Sequence, residues 1–215
     1  MTDSKRLKRD LFGEVRLESR DSGQVVVRDV SCAPLATRWL ARHLMRREAA
    51  ALAVLDDIPG VPRIITVHRD RVERSFIDGQ PLYMARVRDP EFYRQAMRMV
   101  RRIHAAGVVH NDLAKEPNIL VTPAGKPALI DFQIAMYPRR RSRLFRAQGR
   151  EDIRHLLKHK RYYCPDHLTL RERAILSQPS TLTVWHRRYY KPAYLFVTRR
   201  LLGWADREGA SDIRS

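Results

Sequence analysis

The sequence predicts a minimal α+β fold in two lobes, a small antiparallel sheet with one helix over residues 1–79 and a mainly helical lobe with a β-hairpin over residues 80–215. Three observations predict it. Short β-rich runs bounded by turn formers crowd the first third of the chain. Segments with a 3.6-residue apolar period alternate with them and dominate the second half. Between Val108 and Phe132, polar residues separate apolar runs too short to be anything but strands. The turn signal Asp78-Gly79-Gln80-Pro81 marks the boundary between the lobes.

The bulk properties set the frame. The 215 residues, 44% hydrophobic and 31% charged, suffice for one sizeable core or two small ones. Cys32 and Cys164 lie far apart and form no CxxC, which excludes a disulfide framework and fits a reducing cytoplasm. No apolar run reaches the length of a bilayer span and the first residues lack the apolar core of a signal peptide, so the expectation is a cytoplasmic protein. A net charge of +18 favours phosphate-rich partners: nucleic acid, an anionic membrane face or a nucleotide. The excess is concentrated in Pro138 to Arg161, where ten Lys/Arg stand against Glu151 and Asp152. That segment reads either as a solvated face or as an anion-binding surface.

The elements follow in order. Residues 14–30 read as a β-hairpin around the turn Asp21-Ser22-Gly23, with Val26, Arg28 and Val30 on one face. Residues 37–55 read as a helix with Leu40, Leu44, Ala51, Leu52 and Leu55 on its apolar stripe. Glu48 falls on that stripe, where an ionised carboxylate calls for a cationic partner. "PRIITVHR" and "RVERSFIDG" read as strands. The next helix has Asp89 as N-cap, Pro90 at its first position, Phe92, Ala96, Met99, Val100 and Ile103 on one face, and Gly107 as stop. Val108-Val109 is a short strand, and "NILV" and "ALIDF" form a hairpin through "TPAGKP". Helices are expected around "REDIRHLLKHK" and "TLRERAILSQ", before an aromatic and basic tail.

Asp112, Asn118 and Asp131 therefore sit at strand ends, and the hairpin brings Asn118 near Asp131. Those oxygen donors suit Mg²⁺, a hard cation that takes one or two protein ligands plus water and substrate phosphates. Asp112 is left to orient a hydroxyl and accept its proton. The array His110-x-Asp112-Leu113, Asn118, hairpin, Asp131-Phe132 resembles the catalytic loop and metal-binding motif of the protein-kinase-like superfamily. With "SFIDGQPL" as an interlobe hinge and no long activation segment, it is most similar to the compact atypical branch of RIO kinases and bacterial lipopolysaccharide kinases.

The resemblance covers about residues 14–135 and implies ATP and Mg²⁺ as cofactors. It implies Asp112 as catalytic aspartate, Lys115 as a γ-phosphate contact, Asn118 and Asp131 as metal ligands, and His110 packed on Phe132. Arg28 and Glu48 would correspond to the family's strand lysine and helix glutamate. The sequence also departs from the family's pattern. One extra residue separates Asp112 from Asn118, Arg28 replaces lysine, Gln133 replaces glycine, and no glycine-rich phosphate loop occurs unless Asp21-Ser22-Gly23 stands in for it.

Three functions stay open at this point. The first is a RIO-like serine/threonine protein kinase. The second is a lipopolysaccharide sugar kinase, peripheral on the inner membrane through the basic face and the tail. The third is a pseudokinase that binds RNA, a ribosome or another anionic partner. The oligomeric state is not readable. His155, His159, Cys164 and His167 fall within 13 residues and form a minor zinc candidate, which the surrounding Lys158, Lys160 and Arg161 argue against.

Overall fold

The run Val25-Val26-Val27-Arg28 is buried throughout, and β-branched side chains suit a strand covered on both faces. It forms most of β3 (Gly23–Asp29), the middle strand of a five-stranded antiparallel sheet with β1 (Ser4–Asp10), β2 (Gly13–Arg20), β4 (Ile64–Val67) and β5 (Arg71–Ser75). The strand order is β1-β2-β3-β5-β4. The computed structural model describes residues 4–178, apart from 22, 139 and 140. Ser22 and the aromatic and basic tail thus lie outside the described residues.

α1 (Leu35–Val54) spans two cores. Its first turns place Ala41, Met45 and Ala49 against Val30 and Val72 of the sheet side. Its last turns place Ala51 and Leu52, with Leu55 just beyond, in the larger core of the helical part. Ala51, Leu52 and Leu55 are buried as expected, but in the first half of the helix the stripe is rotated by one residue: Ala41 and Met45 are buried, whereas Leu40 and Leu44 are half-buried. Alanines bring the helix axis close to the sheet, and the leucines then flank the contact. Glu48 lies on the buried stripe as expected, at the junction of the two cores.

Residues 76–79 lead from the large sheet to a second one, ordered β6 (Gln80–Pro81), β7 (Ile119–Val121), β8 (Pro127–Leu129). α2 (Leu82–Ala85) follows β6 at once. α3 (Pro90–Ala105) begins as its sequence requires, with the Asp89 carboxylate accepting from the Glu91 amide at 2.8 Å, and Gly107 lies just past its end at φ 88°. Val109 pairs with Met136 in an isolated bridge. α4 (Arg143–Tyr163) is longer than expected, capped by Ser142, and α5 (Leu170–Ser177) packs beside it. Among the described residues no helix is long and apolar enough to cross a membrane.

β1 was not expected, because "SKRLKRD" carries no β-pattern; it is an exposed edge strand. Its presence changes which turn faces the site. In register, Asp10 pairs with Gly13 and Val15 with Arg28, so the β1–β2 turn lies at the Arg28 end of β3. Gly23, the first residue of β3, lies at the opposite end, about 17 Å from Arg28 at ~3.4 Å per residue. The tight approach of the β1–β2 turn depends on Gly13. At φ +118° a Cβ there would sit 2.3 Å from the Asp29 carbonyl oxygen.

Gly13→Ala is therefore expected to lower stability by about 2 kcal/mol or more. Gly125→Ala, at φ +71° with open space around it, is expected to lose only about 1 kcal/mol. Urea unfolding of the two variants checks the difference, and equal losses would show that the approach to Asp29 carries no weight.

Candidate active site

The segment from Val108 to Asp112 must leave α3, pair once with Met136 and present Asp112 outward, which turns two consecutive backbone amides into the interior. Both are taken by one carboxylate. Asp152 of α4, buried, accepts from the His110 amide at 2.8 Å and the Asn111 amide at 2.9 Å, and its Oδ2 lies 3.0 Å from His104 Nε2. Asn111 adopts φ 65°, a left-handed geometry that asparagine tolerates better than most residues. The His110 ring stacks on buried Phe132 with centroids 4.4 Å apart. Its Nε2 donates to the Ile130 carbonyl at 3.0 Å while Nδ1 accepts from the Asp112 amide at 3.3 Å. The two bonds together require the neutral tautomer with its proton on Nε2. His110 is thus the packing residue that the sequence implied.

Asp112, Lys115 and Asn118 come together. Asp112 Oδ2 accepts from Lys115 Nζ and from Asn118 Nδ2, each at 2.9 Å. Asn118 Nδ2 also donates to the Asp112 carbonyl at 3.0 Å, which fixes the amide orientation and leaves its oxygen as the opposite, ligand-capable end. Across the hairpin, the Ile130 amide donates to the Asn118 carbonyl at 3.0 Å, so Asp131 follows directly on the residue paired with Asn118. Asp131 has φ 65°, and its Oδ1 is buried without a hydrogen-bond partner. An orphaned carboxylate oxygen beside an oriented amide fits a small hard cation that needs few protein ligands.

The segment after Asp131 is held on three sides. Arg47 of α1 donates to the Ala135 carbonyl at 2.8 Å, Asn111 Nδ2 to the Ile134 carbonyl at 3.1 Å, and Val109 and Met136 exchange both backbone bonds. The extra residue of the loop is absorbed in a 3-10 turn, Glu116–Asn118. Glu116 points away from Asp112 and accepts from the Tyr163 hydroxyl at 2.5 Å.

On the sheet side, Arg28 and Glu48 meet: Arg28 Nη1 lies 3.4 Å from Glu48 Oε2, and both are buried. A second arginine, Arg74 of β5, pairs with the other oxygen, Oε1. Burial pushes the Arg28 guanidinium below its ordinary pKa, against the pull of Asp131 and Asp10. Burial likewise lowers Arg74 to about 10, against Asp131. Asp131 therefore lies close enough to act on both cations, which links the sheet side to the hairpin that carries Asn118. Arg74 and Asp152 are the residues that sequence reasoning missed.

The zinc candidate is not assembled. His159 Nε2 bonds to the Leu113 carbonyl at 2.8 Å and Cys164 Sγ to the Arg88 carbonyl at 3.0 Å. Among the described residues no group of three His, Cys, Asp or Glu could hold a metal ion. The basic segment is partly spent inside the fold. Lys160 is buried against Glu172 at 2.7 Å, Arg154 donates to the Ile175 carbonyl at 2.6 Å, and Arg141 donates to the Ala105 carbonyl. Arg143, Arg146, Arg150 and Arg161 remain exposed, and Arg139 and Arg140 lie outside the described residues.

Comparison with known proteins identifies the family and the fold. The family model of the RIO domain matches residues 10–172. No curated protein matches the chain at a significant level. Among solved structures, the Rio2 kinase from Chaetomium thermophilum superposes with a TM-score of 0.59 at 16% identity. The match covers 81% of this chain and 62% of that one, so the chain spans under two thirds of its length.

Two outcomes follow from the charges buried here. Asp152→Ala orphans two amides and is expected to lower stability by about 3 kcal/mol or more, read by urea unfolding. His155 is pushed down to about 4 by burial, with Lys158 adding to the effect. Its unfolded value is near 6.5, so its contribution is full above pH 6.5 and is lost as pH falls toward 4, by about 3 kcal/mol. The stability gap between wild type and His155→Gln should change over that window. A parallel pair of pH profiles would rule the effect out.

Proposed function

Because the chain belongs to the RIO domain family, we propose that it is an ATP- and Mg²⁺-dependent phosphotransferase acting on a hydroxyl, and specifically a serine/threonine protein kinase of RIO type. The observation that carries the reading is the juxtaposition of Asp112, Asn118 and Asp131, with a buried Asp131 oxygen that has no partner within the protein.

Asn118 and Asp131 would hold the magnesium, which when bound neutralises charge on the phosphate oxygens. The chain's own groups do the positioning. Lys115 and Asn118 both bond Asp112 Oδ2, which steers Oδ1 to the acceptor hydroxyl. Asp112 takes the proton of that hydroxyl as its oxygen bonds to the γ-phosphorus and ADP leaves. Lys115, 65% exposed at its side chain, can follow the γ-phosphate without losing Asp112. Arg28 supplies the fixed positive charge at the sheet side. Catalysis in such a site rests on orientation and charge stabilisation rather than covalent chemistry.

The same proposal takes residues 1–79 as a small lobe and residues 80–215 as a helical lobe, with the nucleotide at the hinge near Ser75–Pro81. Among the described residues, no observation favours a lipopolysaccharide acceptor, a membrane surface or an RNA over a protein hydroxyl.

The direct test is a thermal shift with ATP and Mg²⁺. A stabilisation that requires Mg²⁺ and disappears in Asp131→Ala is expected; no shift at millimolar ATP would remove the nucleotide site. Asp112→Asn should reduce phosphate transfer by ~10²-fold or more while leaving the unfolding midpoint nearly unchanged, and retained turnover would end the assignment of Asp112.

A further inference from the structure

The strand register places Arg74 and Arg28 on one face of the large sheet. Val26 lies opposite Arg74 and Val72 opposite Arg28, so the two arginines are diagonal neighbours. Glu48 enters between them from α1 and meets each with a different oxygen: Oε1 for Arg74, Oε2 at 3.4 Å for Arg28. A carboxylate and a single guanidinium would ordinarily join through two parallel bonds. Here the Arg74 guanidinium stands at one of the two oxygens and competes for that arrangement.

The consequence shows in what Arg28 leaves unmade. Its Nε is buried and has no hydrogen-bond partner, and the Asp131 Oδ1 is in the same condition. A buried guanidinium N–H without an acceptor and a carboxylate oxygen without a donor or cation are costly unless a ligand completes them. Two guanidinium groups share the single Glu48 carboxylate, and Asp131 acts on both of them from the loop side. A phosphate competing with a bidentate Arg–Glu pair would have to break it; a phosphate meeting a half-held Arg28 would not.

We infer that Arg74 is a positioning residue that takes Glu48 as its ion-pair partner and thereby leaves the Arg28 guanidinium to grip phosphate oxygens of the nucleotide. The role rests on the nucleotide-binding reading given above. It also accounts for an arginine at position 28. With five donors in a planar fork, Arg28 can keep one contact to Glu48 and still offer others, which a lysine point charge does with less directional control.

The test is calorimetric binding of ATP with Mg²⁺ to the full chain and three variants. Arg74→Met should let Glu48 close on Arg28 with both oxygens and raise the dissociation constant about tenfold. Arg74→Met combined with Glu48→Gln should recover binding to within about threefold of wild type, since a neutral amide no longer holds Arg28, and Arg74→Lys should stay near wild type. A merely structural Arg74 would give no recovery in the double variant. That result, or wild-type affinity in folded Arg74→Met, would overturn the role. A ligand-free double-mutant cycle by urea unfolding covers the case of poorly folded variants. Stronger coupling of Glu48 to Arg74 than to Arg28 is expected, and the reverse order would overturn the pairing. Failure of wild type to bind ATP would instead overturn the nucleotide reading, and the ligand-free cycle would still decide which arginine Glu48 holds.

Discussion

One buried carboxylate holds the loop from His110 to Asn118 in place. Without Asp152, the amides of His110 and Asn111 would face the interior with no acceptor, and the turn that displays Asp112 would have to rotate toward water. With it, the loop is pinned to α4, the ring of His110 is held over Phe132, and His110 in turn fixes the Ile130 carbonyl one residue before Asp131. The chain of contacts therefore runs from a helix in the second half of the sequence to both aspartates of the site. Gly149 permits it: a Cβ there would press on the His104 ring at 3.3 Å, where α4 meets α3 and Asp152 reaches His104. A Cβ at that position would require the His104 ring to give by a few tenths of an ångström.

The second frame is independent of the first. Glu48 is carried by α1, and its arginines come from β3 and β5, so the sheet and its helix are tied together by a buried ion cluster rather than by apolar contact alone. Breaking either pair would strand a buried charge, which is far more costly than never having had one. The two frames meet at the segment from Asp131, whose charge is felt by both arginines and which Arg47 of α1 and Asn111 of the loop both hold. Such a meeting point suits a bound polyanion with its metal, because the ligand would complete the contacts that each frame leaves open.

What could be read from the sequence follows the strength of local rules. α3 was legible because cap, first-turn proline, apolar stripe and terminal glycine all agree, and the β7–β8 hairpin because two short apolar runs flank a turn that only glycine fits easily. Glu48 was legible from a single conflict, a carboxylate on an apolar stripe. The same conflict exists in α4, where Asp152 shares a buried face with Phe145, Gly149, Leu156 and Leu157. There the surrounding arginines mask the stripe, and the segment reads as a solvated or anion-binding face. Arg74 was hidden for another reason. In an alternating strand that also holds Glu73 and Arg71, nothing local says which charged residue faces inward; only the register against β3 decides it. β1 was invisible because an edge strand may be polar on both faces.

Spacing alone would have misjudged the loop between Asp112 and Asn118. One extra residue could have displaced Asn118 by a third of a helical turn and separated it from the Asp112 carboxylate. Instead, the Glu116–Asn118 turn tightens to three residues per turn, and Asn118 Nδ2 still reaches both the carbonyl and the carboxylate of Asp112. The surplus is anchored on the far side, where Tyr163 donates to Glu116 and His159 holds the Leu113 carbonyl. A loop of this kind is defined by which donor meets which acceptor, and its length can vary as long as the helix behind it supplies partners for the residues that the insertion turns inward. α4 does both tasks at once, Asp152 at the start of the loop and His159 with Tyr163 along its middle. The helix that looked most like a charged surface is thus the one on which the geometry of the site is built.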